Sequence, residues 1–162
     1  MKKYKLFTFI LVFLVFHLVI INPIKIQATS NFTYENVEKF VKDIYSSYTD
    51  TKYIFIYQNI HPEIKSTFKK NKYIKVHKEY FKKNDIKIMG CKIKTINNID
   101  ELPTKFSDYI ALKESDDLLS VSIEYKAKIR NSKKDISKKV YVLKNNKGDL
   151  FLLWDPKILN DL

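Results

Sequence analysis

Apolar residues recur with two different periods along this chain, and the change of period separates a helical part from a β part. From Thr33 to Tyr48 they recur every three to four residues, which is one face of a helix, with Glu35 suited to the first turn. Thr33 is the predicted N-cap. The sequence His61-Pro62-Glu63 predicts a second helix start, because proline favours the first helical position. A third helix is predicted from about Lys72 to Lys83.

From Ile86 onward the period is two, which is typical of strands. Ile86 and Ile88 share one face, but Cys91 and Ile93 fall in the opposite phase, with Gly90 between the two pairs. A glycine at a change of phase predicts a β-bulge, so we expect the sheet to bend there.

Four more strands are predicted after a loop at Asn97–Lys105, and the last two are joined by the turn Asn145-Asn146-Lys147-Gly148. The predicted strands are Tyr109–Leu112, Leu119–Ile129, Lys138–Lys144 and Asp149–Trp154. Helices followed by an antiparallel meander predict an α+β fold. In this fold the N-terminal helices pack on a curved antiparallel sheet of about four to five strands.

The N-terminus has the pattern of an export signal. Three lysines precede the uncharged stretch Leu6–Ile21, Pro23 follows it, and Ile26-Gln27-Ala28 predicts cleavage after Ala28. We therefore interpret residues 1–28 as a signal peptide and residues 29–162 as a single α+β domain. The alternative is an uncleaved anchor, although a spanning helix needs about 20 apolar residues. Either way the protein is expected to be secreted or associated with the cell envelope.

The formal net charge of +12 falls to about +8 without the four lysines of the signal. Arg130 is the only arginine. Specific recognition of phosphates or bases usually uses the bidentate guanidinium, so we expect no specific nucleic acid binding. Dispersed lysines attract anionic wall polymers or lipid head groups only diffusely, and keeping the protein soluble is the simpler interpretation.

The cysteine and glycine counts exclude several kinds of site. Cys91 is the sole cysteine, so neither an intramolecular disulfide nor a cysteine-based metal site can form. Export without disulfides is typical of a Gram-positive bacterium. Gly90 and Gly148 are the only glycines, and they are too far apart for a Gly-rich phosphate loop. We expect no cofactor, and we interpret Cys91 as an inert buried thiol.

Candidate acid–base residues are His61, Glu63 and His77, but each has a structural explanation. His61 precedes a helix start, and His77 lies on the apolar side of its helix. The pairs Asp100-Glu101 and Asp116-Asp117 lie at a loop and a turn, where adjacent side chains point apart. We therefore predict no catalytic residues and no metal site.

The aromatic content is high, and part of it could line a pocket. The pocket candidates are Tyr45, Tyr48, Tyr57, His61, Tyr125 and Trp154. The alternative is that a domain of this length needs these large side chains for its core. Trp154 is expected to hold the helical layer to the sheet.

Two stretches carry a resemblance to a known family. Tyr57–Lys65 resembles the loop into the second helix, and Gly148–Leu159 resembles the last strand and Trp-x-Pro exit, of the nuclear transport factor 2-like (cystatin-like) α+β cone. The local similarity is to the N-terminal domain of penicillin-binding transpeptidases of the MecA type and to small exported bacterial proteins built like it. The resemblance implies a fold and a place in the envelope. The resemblance does not imply transpeptidase activity, because in those enzymes the catalytic domains follow the N-terminal domain.

These observations favour a non-enzymatic binding or interaction module of the cell envelope or medium. Its partner could be an envelope protein, a wall polymer or a small apolar ligand. Membrane association is expected only if the signal stays uncleaved, and a homodimer is left open. Two alternatives belong to other classes: a small isomerase- or dehydratase-like enzyme that uses the cone pocket, and an envelope-tethered immunity or protective protein.

Overall fold

The computed structural model describes residues 34–161. They form six helices, four strands and the loops between them. The helices are α1 (Tyr34–Thr49), α2 (Tyr53–Gln58), α3 (Pro62–Ser66), α4 (Lys70–Lys83), α5 (Thr104–Ser107) and α6 (Ile158–Asp161). The strands are β1 (Ile86–Asn98), β2 (Asp117–Ile129), β3 (Ser132–Lys144) and β4 (Leu150–Leu153). The predicted signal peptide and the Thr33 cap lie outside the described residues.

The strands form one open antiparallel sheet in the order β1-β2-β3-β4. The predicted fold class, N-terminal helices on a four-stranded antiparallel sheet, is confirmed. β3 begins at Ser132, six residues before the predicted start at Lys138. The prediction missed Ser132–Ser137 because they are mostly polar and show no apolar alternation. Their backbone pairing with β2 makes them a strand. The prediction of a strand at Tyr109–Leu112 is wrong, since this segment pairs with no strand.

The helices bury the faces that their apolar periods predict. Val37, Val41 and Ile44 of α1 are almost completely buried, and α4 buries Tyr73 and His77. α3 starts at Pro62, as expected. The short α2 was not predicted, because its five consecutive apolar residues carry no helical period.

The predicted β-bulge at Gly90 is confirmed by the pairing of β1 with β2. The register shifts between Ile88 and Cys91, and Gly90 has a φ of 112°. Ile88, Cys91 and Ile93 all pair with residues of the helix-facing side of β2, because the one extra residue of β1 at the bulge restores the phase. The Thr49 hydroxyl at the end of α1 donates a hydrogen bond of 2.9 Å to the Ile88 carbonyl. The bulge is thereby tied to the helical layer.

The two faces of the sheet are covered by different segments. The helix-facing side of β2 is buried along most of its length, with Leu119, Val121 and Ile123 almost completely covered. On the outer face Phe106 of α5 is buried, and its ring lies 5.7 Å from the Tyr141 ring. Ser120, which pairs with Tyr141, is also buried on this side.

The outer edge of β4 is covered by the connection between α2 and α3. Ile60 forms a parallel bridge with Leu152, the Leu152 amide donates to Asn59, and the His61 amide donates to Leu152. Pro62 follows directly, so the helix start is anchored to the sheet by backbone hydrogen bonds. No helix within residues 34–161 has the length and apolarity needed to cross a membrane.

Candidate functional site

Lys138 lies on the face of the sheet that packs against the helices. Its partner on β2 is Ile123, and Val140 and Val142, which are in phase with it along β3, are buried. Side chains alternate between the two faces of a strand. Lys138 therefore occupies a position at which an apolar residue would continue the core.

Two tyrosine rings lie beneath the Lys138 ammonium. Nζ is 5.5 Å from the centroid of the Tyr45 ring on α1 and 5.9 Å from that of Tyr125 on β2. The two rings are 5.2 Å apart. A cation within about 6 Å of a ring centroid is attracted by the negative face of the ring. Burial raises the pKa of Tyr45, with Tyr48 adding to the effect, so its phenol stays neutral.

The electrostatic surroundings of Lys138 favour the loss or neutralisation of its charge. Burial lowers the pKa of Lys138, and the positive charge of Lys105 lowers it further, while Cys91 acts in the opposite direction. Lys138 as a whole residue is exposed despite the rings beneath it, so the ammonium can meet a ligand from solvent.

Lys105 approaches the same edge of β3 from the outer face of the sheet. Its Nζ lies 5.0 Å from the Phe106 centroid and 5.3 Å from the Tyr141 centroid. Among the ion pairs of residues 34–161, none involves Lys105 or Lys138. Two ammonium groups thus rest on aromatic rings without a carboxylate partner in this part of the chain.

A cleft of about 100 Å³ opens between these lysines and the helical layer. We call it the aromatic–lysine cleft, and its functional side chains are Tyr45, Tyr48, Lys105, Lys138 and Trp154. Since a water molecule takes up about 30 Å³ in the liquid, the volume suits a small group such as a phosphate or carboxylate. Asp155 and Ile158 lie on its wall beside Trp154.

The inner wall of the aromatic–lysine cleft is one side of an aromatic cluster. The Trp154 ring lies 5.4 Å from Phe68, 5.1 Å from Tyr73 and 5.6 Å from His77. Burial raises the pKa of Tyr48 to about 12. This wall is therefore neutral and rigid, and the positive charge of the cleft comes from its lysines.

The predicted pocket residues divide into two groups. Tyr45, Tyr48 and Trp154 line the aromatic–lysine cleft, and Tyr125 lies directly behind Tyr45. Tyr57 and His61 form the second group and do not line the cleft.

Tyr57 and His61 have other surroundings. The Tyr57 ring packs 5.8 Å from Phe68 and 5.6 Å from Tyr73, inside the helical layer. The half-buried His61 ring lies 5.4 Å from Phe151, and burial lowers its pKa. Both residues are held by packing, and neither lines the aromatic–lysine cleft.

The candidate bases are not brought together. His77 is buried, with its ring 4.1 Å from Tyr73 and its Nδ1 2.9 Å from the Tyr73 carbonyl. Glu63 is exposed in the first turn of α3. His61, Glu63 and His77 do not line the aromatic–lysine cleft.

Sequence reasoning missed both lysines of the aromatic–lysine cleft. Lys138 could have been found, because it shares the period of two with Val140 and Val142. Lys105 could not, since it belongs to a short helix in a predicted loop and meets Lys138 only across the edge of the sheet.

Cys91 is half-buried, and burial raises the pKa of its thiol while Lys42 and Lys138 lower it. In the described part of the chain, no three His, Cys, Asp or Glu side chains are arranged to hold a metal ion. Asp100, Asp116 and Asp117 share a hollow of about 450 Å³ with Lys113. Asp117 is paired with Lys144 at 2.5 Å, and Asp116 accepts a hydrogen bond from the Lys113 amide.

The sequence matches no protein-family model and none of the curated proteins with which it was compared.

Proposed function

We propose that this chain is an exported, non-enzymatic binding module that holds an anionic group of its ligand in the aromatic–lysine cleft. The observation that carries the proposal is the inward-facing Lys138, whose ammonium lies on two tyrosine rings beside Lys105. Neither lysine makes an ion pair among residues 34–161. A bound anion would relieve the repulsion between them.

The ligand chemistry follows from the charge and size of the cleft. A phosphate or carboxylate fits its volume of about 100 Å³, and the rest of the ligand would extend over Trp154 and Ile158 towards solvent. Lysine provides point charges, which attract such groups without the bidentate geometry that arginine imposes. A phosphate-bearing wall polymer or a small carboxylate is therefore favoured over a wholly apolar ligand.

The surroundings of the candidate bases favour binding over catalysis. An isomerase or dehydratase needs a base beside its substrate cavity. His77 is packed among aromatic rings, His61 packs on Phe151, and Glu63 faces solvent.

We also propose that the α+β fold is the nuclear transport factor 2-like cone and that the protein acts in the envelope or medium. The helix start at Pro62 and the Trp154 exit after β4 support the first point. The lysine-led apolar stretch of residues 2–21 supports the second.

Intrinsic fluorescence gives a direct test, because Trp154 is the one tryptophan of the chain and lines the cleft. The protein starting at Thr29 is titrated with inorganic phosphate and with acetate, against sodium chloride at equal ionic strength. We expect a saturable change with phosphate or acetate that the variant K105Q/K138Q loses. The matched control K133Q/K134Q also removes two positive charges, both from the exposed start of β3, and should behave as the wild type. A response that follows ionic strength alone, or that K105Q/K138Q retains, would refute the proposal.

A further inference from the structure

A second surface, formed by elements other than those that carry Lys105 and Lys138, combines exposed apolar side chains with positive charge. Two neighbouring hollows of about 690 and 350 Å³ share Thr51, Tyr53 and Lys78. We call their combined surface the lysine-rimmed groove. It lies where the end of α1, the start of α2, one side of α4 and the start of β1 meet.

Large apolar side chains are exposed on this surface. Ile54 is 49% exposed, Met89 43% and Phe55 38%, although soluble domains bury most residues of these types. They account for three of the five exposed large apolar residues among those described. An apolar concentration of this kind marks an interaction surface.

The floor of the lysine-rimmed groove is rigid. The Phe81 ring stacks on Tyr48 at 5.8 Å and meets Tyr53 edge-on at 5.7 Å. Met89 precedes the bulge at Gly90, and the Thr49 hydroxyl donates a hydrogen bond to the carbonyl of Ile88, the residue before Met89. The protruding side chains are therefore presented by a preformed support rather than by a loop.

The rim is positive. Lys52, Lys78, Lys82 and Lys87 stand on it, against the single carboxylate of Asp85. Lys52 is paired with Asp50 at 2.7 Å, but no ion pair within residues 34–161 involves the other three lysines. Free ammonium groups around an apolar centre complement a surface that is anionic outside and apolar beneath.

We infer that the lysine-rimmed groove docks on a bilayer that contains anionic phospholipid. Protein interfaces are depleted in lysine, and arginine is among the residues that supply their strongest contacts. This rim has four lysines and no arginine. Laterally mobile head groups need only point charges, and apolar side chains can enter the acyl boundary below them. This inference does not depend on the aromatic–lysine cleft.

Vesicle co-sedimentation tests the inference. The protein starting at Thr29 is used, since Phe32–Leu162 form a compact unit and the apolar N-terminal stretch would bind vesicles itself. We expect it to bind vesicles of phosphatidylcholine and phosphatidylglycerol, and to bind pure phosphatidylcholine far more weakly. Raising the salt from about 0.01 to 0.15 M should weaken binding, because the screening length falls from about 30 to 8 Å.

Two variants and a matched control assign the binding to this surface. K78Q/K82Q/K87Q should reduce the partition coefficient on the order of 100-fold, since each lysine near an anionic surface is worth about a factor of five. I54S/M89S should reduce it at least about tenfold through the lost apolar contact. K133Q/K134Q/K147Q removes three exposed lysines elsewhere and should change it much less.

Three results would overturn the inference. The first is equal binding to both vesicle types, and the second is an equal loss in K78Q/K82Q/K87Q and its control. The third is a dimer in sedimentation velocity without vesicles that I54S/M89S dissociates, because a second copy would then cover the groove. The fluorescence test with inorganic phosphate is independent of all three.

Discussion

The ammonium of Lys138 lies 5.5 Å from the centroid of the Tyr45 ring, although one residue belongs to the sheet and the other to the first helix. A strand and a helix meet here at the edge of the core, and a charge takes a position where an apolar side chain would pack. Inward-pointing charges near strand edges also discourage pairing with another chain. Lys138 is therefore expected to affect ligand binding, the stability of the fold and the tendency of the β3 edge to pair with another chain.

Replacing Lys138 with methionine should stabilise the protein at pH 7. Burial lowers the pKa of Lys138 in the folded state below its ordinary value of 10.5. At a pH between the lowered folded-state pKa and 10.5, the unfolded chain binds more protons at Lys138 than the folded protein does. The free energy of unfolding therefore rises with pH in this range. Lys138→Met removes the free-energy cost of burying the charge. The extra stability of the variant over the wild type should shrink as the pH approaches 10.5.

Denaturant unfolding of wild type and Lys138→Met at pH 7, 9 and 10.5 measures this difference. Lys139→Met, in the opposite phase of β3, is the control for the general titration of lysines and tyrosines. A wild type more stable than Lys138→Met at pH 7 would contradict the prediction.

Truncation of Trp154 should destabilise the protein by about 3–5 kcal/mol, the cost typical of removing a large buried aromatic side chain. Trp154 is buried and packs against Phe68, Tyr73 and His77. Urea unfolding of Trp154→Ala, followed by circular dichroism, measures the loss. Trp154→Phe keeps part of the ring contact and should lose less; equal losses would show that ring packing does not hold this position.

Acidification should destabilise the fold partly through His77. Burial lowers the pKa of His77, although the hydrogen-bonding interaction with the Tyr73 carbonyl opposes this. As the pH falls through 6.5 the unfolded chain takes up a proton that the folded protein does not, so the free energy of unfolding decreases.

His77→Phe should therefore lose less stability than the wild type between pH 7 and pH 5, as measured by thermal unfolding at both values. The pKa of His61 is also lowered by burial, so some pH dependence should persist in this variant. His61→Gln isolates that part. An unchanged pH dependence in His77→Phe would refute the assignment.

Gly90→Ala should cost about 1–3 kcal/mol, which is the usual range for a side chain forced into an unfavourable backbone region. Gly90 has a φ of 112°, and an added Cβ would meet no atom within 4 Å. The cost is therefore one of backbone conformation, without a clash. Thermal unfolding of Gly90→Ala measures it, and Gly148→Ala, at a φ of 87° and also in open space, is the comparison. A Gly90→Ala protein as stable as the wild type would contradict the role of the bulge.

The regular parts of the fold could be predicted because their burial follows a local period. The face of α1 and the odd-numbered positions of β2 show it, and Gly90 at a change of phase indicated the bulge. The segment Ser132–Ser137 could not be predicted, because its strand conformation comes from pairing with β2. The apolar residues at Tyr109–Leu112 suggested a strand, but this segment pairs with no strand and only its Ile110 is buried.

The sequence by itself determined the longer helices and the four strands, the bulge at Gly90, and the aromatic residues available to a pocket. Local periods and turn residues carry that information, and they act between near neighbours in the chain. Only the tertiary structure decided that Lys105 and Lys138 meet beside Tyr45 and Trp154. It likewise brought Ile54 and Met89 to one surface from α2 and β1. Such neighbours are set by the packing of distant elements, which leaves no pattern at short range along the chain.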